Sequence, residues 1–474
     1  MAPVVALILA CSAAFLLWRP QYAAVAILVM FPLEQLVQSY FMVAQAQPYL
    51  VNVAVALLAA LAVVLRAAKG EKPWEGFGNP LIVLIWVLYA YCWISMLWSP
   101  SMGPALGMLR PGLPYWILLM LLAPMLFGDI ASIRPVLVAL LAVGGGVAAL
   151  ILLSPNASFY AGRLTIEFSP FFRDARSNPL ALAQMGGMMA VVAMLLVGRG
   201  PNPLFLALRV AALIIGLGLG ISSGSRGQVI FAVAAGFMFL PVARRIGSVR
   251  HFAAFAIGAA VFYFAVTATF RQFIGAANET RWQLDNLRDG IETRTEAATT
   301  LLSAWLQSPV AWLIGLGSNA YNHYSDGGNY VHNMIVEVLC EQGLIGMSLL
   351  LAIVWLGFKA TRKLVARHRE DPAMRSTVAA MGGLALYGLL LALKEGSLLG
   401  HPYAVFMLAI LAKSWAIEER APDEFAEEEH DGEHEGEHDG EHGGFGDHAF
   451  DGPPPEGRRS GAGRDVELPE PVNV

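Results

Sequence analysis

The segment His332-Asn333-Met334-Ile335-Val336-Glu337-Val338-Leu339-Cys340-Glu341-Gln342-Gly343-Leu344-Ile345-Gly346 carries an imidazole and two carboxylates from a polar loop into an apolar run reaching about residue 358. A helix starting near Asn333 places Asn333, Glu337 and Glu341 on one face at i, i+4 and i+8, because a helical turn takes 3.6 residues. Apolar Ile335, Val336, Val338 and Leu339 fill the other faces. A carboxylate in a membrane helix costs roughly 2.5 to 3.5 kcal/mol on insertion scales, so these glutamates are expected to line protein or a watery cavity rather than lipid. Function is the default reading of such groups, and a packing or capping role is the alternative for any single one.

The rest of the chain sets the class. Of 474 residues 56% are hydrophobic and 14% charged, and apolar runs recur at the length that crosses a hydrocarbon layer. We expect an all-α polytopic membrane domain over 1–420, with spans near 3–18, 21–44, 49–66, 80–97, 113–127, 135–153, 179–197, 203–221, 228–243, 251–270, 334–358, 376–393 and 397–416. That is thirteen transmembrane helices, or twelve if the first two runs form one broken element. The run Pro3 to Trp18 lacks the basic start and cleavage site of a secretory signal, so it is expected to stay as a membrane helix. Basic residues mark cytoplasmic loops. They gather in Arg66 to Lys72, in Arg244, Arg245 and Arg250, and in Lys359 to Arg375, which puts Ser154 to Asn178 and Arg271 to Val331 on the outer face and the C-terminus inside.

The net charge of −5 is concentrated in acidic residues near the C-terminus and leaves no basic surface for nucleic acid. Cys11, Cys92 and Cys340 lie in apolar segments without metal-ligand spacing and read as buried small hydrophobes. The outer loop 271–331 is too long for a plain connector and is periodic, so it is expected to be helical and to lie on the membrane surface. Its apolar stripe is Ile291, Ala298, Leu301, Leu302, Trp305 and Leu306, with Arg294 and Glu296 on the polar side. Residues 421–474 form an acidic tail in which His430, His434, His438 and His442 recur every four residues. Glycines and like charges favour a disordered cytoplasmic tail over a metal site.

Arginines stand at the outer ends of spans, against the usual loop bias: Arg163, Arg173, Arg176, Arg226, Arg281, Arg288 and Arg294. The planar guanidinium suits a bidentate grip on phosphate oxygens, so a diphosphate ligand explains them. Snorkelling or pairing with Glu167, Asp174, Glu292 or Glu296 suffices for Arg173 and Arg288, but less easily for Arg226, whose local run Ser222-Ser223-Gly224-Ser225-Arg226-Gly227 has no acid. That run also has the look of a nest of backbone donors for an anion. No nucleophilic triad spacing, phosphate-binding loop or metal-binding aspartate pair is present, which favours chemistry without metal or cofactor.

Together these residues resemble the O-antigen ligase and polymerase superfamily, polytopic enzymes that act on undecaprenyl-diphosphate-linked glycans. The resemblance rests on Ser225-Arg226-Gly227, on Arg294 followed by Pro309 and Gly315-Leu316-Gly317-Ser318-Asn319-Ala320-Tyr321, and on His332-Asn333 with Glu337, Glu341, Gly343 and Gly346. It spans about 163–346, and Ala298 stands where the family usually has tryptophan. What the resemblance implies is a metal-independent inverting glycosyltransferase of cell-envelope polysaccharide or lipopolysaccharide biosynthesis. It sits in the bacterial inner membrane with its site on the periplasmic face. Arg226 and Arg294 would clamp the diphosphate with Arg163 as a further donor contact, His332 would be catalytic near the acceptor, and Asn333, Glu337 and Glu341 would support it. The acceptor is a glycolipid, glycan or protein.

Three relatives of this function share the same residues: a ligase, a polymerase joining lipid-linked repeat units, and a protein O-oligosaccharyltransferase. A non-enzymatic polyprenyl-glycan transporter belongs to another class and often shows internal inverted repeats, which this sequence lacks. The transferase reading requires Arg226, Arg294 and His332 to converge on one outer cavity.

Overall fold

The computed structural model describes residues 19–168, 177–244, 284–325, 331–395 and 402–420, with isolated positions between them. The expected span 3–18, most of 251–270, Cys11 and the tail 421–474 lie outside the described residues. Among those described, eight helices are long and apolar enough to cross a membrane: Leu50–Ala68, Pro80–Trp98, Met102–Met125, Ile130–Leu152, Pro203–Ser222, Arg226–Arg244, Gly343–Arg367 and Pro372–Lys394. A ninth results if Pro20–Leu28 and Met30–Tyr40, bent by 73° against each other, count as one span. The shorter helices Pro179–Leu195 and Tyr403–Glu418 pack among them.

Three of these helices start on the same local chemistry. Asn79, Asn178 and Asn202 precede Pro80, Pro179 and Pro203, and their side chains accept from the N–H groups of Leu81, Leu180 and Phe205. Asparagine satisfies a donor left open by the first turn, and proline at the next position lacks one. Close helix contact is made by glycine: a Cβ added at Gly216 would lie 2.6 Å from the Gly186 carbonyl oxygen, so Pro179–Leu195 and Pro203–Ser222 touch backbone to backbone.

Two expectations need correction. The run 334–358 is not one span: a short helix Met334–Glu341 ends at Gln342, and the membrane-crossing helix begins at Gly343, where φ is +66°. The fold is also not purely helical. Ala157–Tyr160 and Arg163–Ile166 pair as an antiparallel hairpin, with Tyr160 opposite Arg163. Ala161 and Gly162 both have positive φ, which matches the twist of a two-residue hairpin turn.

The helices alternate between two ends, and side-chain bonds register them. At the basic end Lys413 Nζ donates to the carbonyls of Pro73, Pro124 and Phe127 at 2.7, 2.9 and 2.8 Å, tying two loops to the last helix. Arg134 Nη1 donates to Ala373 O at 2.9 Å, and Arg375 Nε to Val242 O at 3.1 Å. The opposite end holds the hairpin, the Ser222–Arg226 turn and the segment from Leu284 to Asn333, which among the described residues folds into the helices Leu284–Leu306, Pro309–Ile314 and Tyr321–Tyr324.

Candidate active site

The segment Gly315 to Tyr321 is the floor of this end. Gly315 and Gly317 have φ of +81° and +93°, a region that side chains disfavour, and a Cβ at Gly317 would lie 2.6 Å from Ser99 Cα. With glycine there, the strand-like turn is stitched to its neighbours on both sides. Leu316 N and Gly317 N donate to Cys340 O and Glu341 O at 2.8 and 2.9 Å. On the other side Trp98 Nε1 donates to Gly315 O at 3.2 Å, and Ser318 Oγ bonds Cys92 O at 2.7 Å.

Glu341 completes that stitching. Its Oε2 accepts from Asn319 N at 2.7 Å and its Oε1 from Tyr321 N at 3.3 Å. Burial pushes its carboxyl up to about 7 even though these backbone donors pull it down. Glu337, one turn earlier, accepts from Leu398 N at 3.2 Å. Burial and the charge of Glu341 push its carboxyl well above the ordinary range. Both residues are 5% exposed, so they act as internal latches on neighbouring segments. Asn333 does not share their role: the helix starts at Met334, and Asn333 caps it by accepting from Ile335 N and Val336 N at 3.1 and 3.3 Å. The expected face of three polar groups is therefore a cap followed by two latches.

His332 sits at the hinge between fully buried Val331 and this cap. Its φ is +61°, uncommon for any residue other than glycine and a form of local strain seen at functional sites. The half-buried ring belongs to the same end as the floor.

Arg294 reaches this place along the Leu284–Leu306 helix. Ala297, Ala298, Leu301 and Trp305 follow it at i+3, i+4, i+7 and i+11 and pack with Ala320, Val331, Val336 and Cys340. Arg294 thus extends the packing face and is half-buried, whereas Glu292 and Glu296 are exposed, a correction to its expected polar side. Leu306 is 53% exposed and lies off the stripe. The helix packs its small Ala298, not a tryptophan, into the cluster. The side chain of Arg288 lies outside the described residues, as do Arg173, Arg176 and Arg281.

Arg226 opens its helix from the other side, 68 residues earlier in sequence, and stands near enough to Arg294 for the two charges to repel. The turn before it uses part of its backbone internally. Ser223 N, Gly224 N and Ser225 N already donate to Leu219 O, Ile221 O and Ser223 Oγ, so these three donors are spent inside the protein. Arg163 opens the second hairpin strand at the same end, where the hairpin packs on Met30–Tyr40 and Pro179–Leu195.

A residue that sequence reasoning passed over joins them. Lys394 lies across Gly227, where a Cβ would come within 2.6 Å of its Cε and 2.8 Å of its Nζ. A lysine at the end of an apolar helix looks like a snorkelling residue, and nothing in its own neighbourhood of the sequence signals Arg226. Among the described residues no three His, Cys, Asp or Glu side chains gather as a metal site requires.

The family model described as O-antigen ligase, Wzy_C, matches residues 210–351. Over that stretch the chain is similar to the O-antigen ligase family. The match includes Arg226, Arg294, His332, Glu337 and Glu341 and begins after Arg163. No curated protein matches the chain. The similarity to that family and the apolar helices support a multi-pass membrane protein of the glycan-processing type.

Proposed function

We propose that the protein transfers a saccharide from an undecaprenyl-diphosphate-linked donor to an acceptor at the periplasmic face of the bacterial inner membrane. The observation that carries this reading is that Arg226 and Arg294 stand on separate helices at the end where the His332 segment is latched. Two guanidinium groups brought to one end by separate elements are suited to a ligand with two phosphates. The basic loops lie at the opposite end, which supports an outer position for this end by the positive-inside rule.

The chemistry follows from the groups. An acceptor hydroxyl attacks the anomeric carbon, the bond to the diphosphate oxygen breaks, and the leaving group takes the electron pair. Attack opposite the leaving group inverts the centre. Arg226 and Arg294 stabilise the charge that develops on the phosphate, and His332 accepts or orients the hydroxyl proton. A neutral imidazole has a ring nitrogen that can accept that proton. Glu337 and Glu341 hold the scaffold, and Asn333 fixes the helix start that follows His332. No metal is needed for any step.

The test is transfer from a defined undecaprenyl-diphosphate glycan by purified protein in detergent, with and without a chelator. Arg226→Lys or Arg294→Lys keeps the charge but loses the fork, and each should weaken donor capture by about tenfold or more. Chelation should leave the wild-type rate unchanged. Wild-type donor capture by both lysine variants, or activity lost on chelation and restored by metal, would overturn the reading. Supplying either a lipid-linked repeat unit or a lipid-anchored core glycan as acceptor separates polymerase from ligase.

A further inference from the structure

The Pro372–Glu395 helix finishes between two elements of the site. On one side Lys394 runs over the first turn of the Arg226–Arg244 helix at Gly227, and on the other the chain just beyond it is held by Glu337 through Leu398 N. Gly227 has no positive φ that would call for glycine, and glycine inside a helix is less favourable than alanine by about 0.5 to 1 kcal/mol. What a side chain at this position would lose is the path of Lys394. A lysine that merely snorkelled would extend away from its helix end toward water, whereas Lys394 crosses onto the neighbouring helix beside Arg226.

We propose that Lys394 is a third cation of the donor site, placing its ammonium on the phosphates of the lipid-linked diphosphate through the gap left by Gly227. This rests on the donor reading above. While the sugar is attached, the diphosphate is a diester with one negative charge on each phosphate. When the glycosidic carbon–oxygen bond breaks, the electron pair stays on the phosphate oxygen and adds negative charge. Two guanidinium groups balance the substrate, and a third cation matches the leaving group better than the substrate. Binding that strengthens along the reaction is the kind that raises kcat.

The experiment uses the full-length protein and two probes, undecaprenyl diphosphate and the glycan-linked donor. Lys394→Met should lose about tenfold or more in affinity for undecaprenyl diphosphate, with a smaller loss for the donor and a fall in kcat. Gly227→Ala should reproduce these losses, and Gly227→Ala combined with Lys394→Met should be no worse than either alone, since both remove one interaction. Lys394→Arg, which keeps the charge, should retain more affinity than Lys394→Met. Equal losses for the two probes, additive losses in the double variant, or wild-type affinity in folded Lys394→Met would overturn the proposal. If Lys394→Met does not fold, wild-type binding by Gly227→Ala would do the same. Arg226→Met separates the two levels: if it too keeps full affinity, the donor reading itself has failed.

Discussion

At Glu341 a carboxyl on the polar face of a short helix holds the turn that follows Gly317, with Asn319 N and Tyr321 N on its two oxygens. Its neighbours are Glu337 one turn away and the Cys340 thiol, whose own ionisation burial and the Glu341 charge oppose. Burial raises its pKa from 4.5 to about 7, so the folded protein keeps a proton that the unfolded chain releases. The stability this contributes is fully present below about pH 4.5 and is lost as pH rises through about 7. Glu337 shifts in the same direction. We therefore expect the melting midpoint in detergent to fall between pH 5 and 7.5, with a visibly smaller fall for Glu341→Gln. A wild-type midpoint flat over that range, or rising with pH, would contradict the latch. The sequence showed two carboxylates one turn apart; it did not show that each reaches across the fold to another segment's backbone, because Asn319 and Leu398 come near only in the tertiary structure.

Among elements, the apolar runs were legible because crossing a hydrocarbon layer demands length and hydrophobicity together. The Asn-Pro starts at 79, 178 and 202 were equally local signals. The break at Gly343 escaped because Leu344 and Ile345 continue the apolar pattern while the backbone turns beneath it. The hairpin escaped because its strands have four residues each and its turn is Ala161-Gly162, weaker punctuation than asparagine followed by glycine. The Gly315 to Tyr321 turn yields a sharp prediction. At Gly317 an added methyl meets backbone atoms of Ser95 and Ser99, which cannot rotate away, and the left-handed φ adds strain. Gly317→Ala should destabilise by about 2 to 4 kcal/mol, read as a lowered melting midpoint in detergent. Gly107→Ala is the control, since nothing lies within 4 Å of its added methyl and the helix should be unharmed. Equal midpoints for the two variants would show that the turn yields easily.

On the scale of the whole molecule, the protein separates its charges by end. Lys413, Arg134 and Arg375 are spent on carbonyls that fasten loops at the basic end. Arg226, Arg294 and Lys394 stand at the other end, with His332 on the chain that Glu337 and Glu341 hold in place. Arg226, Arg294 and His332 drew attention through their motifs, while Lys394 did not, since its neighbour Gly227 is 167 positions away. In the proposed function that arrangement serves a reaction that expels a diphosphate. The most direct test is single-turnover transfer by His332→Ala with donor already bound. The account predicts a rate lowered by about 10² to 10⁴ with donor affinity and melting midpoint close to wild type. Transfer at the wild-type rate in that variant would contradict it.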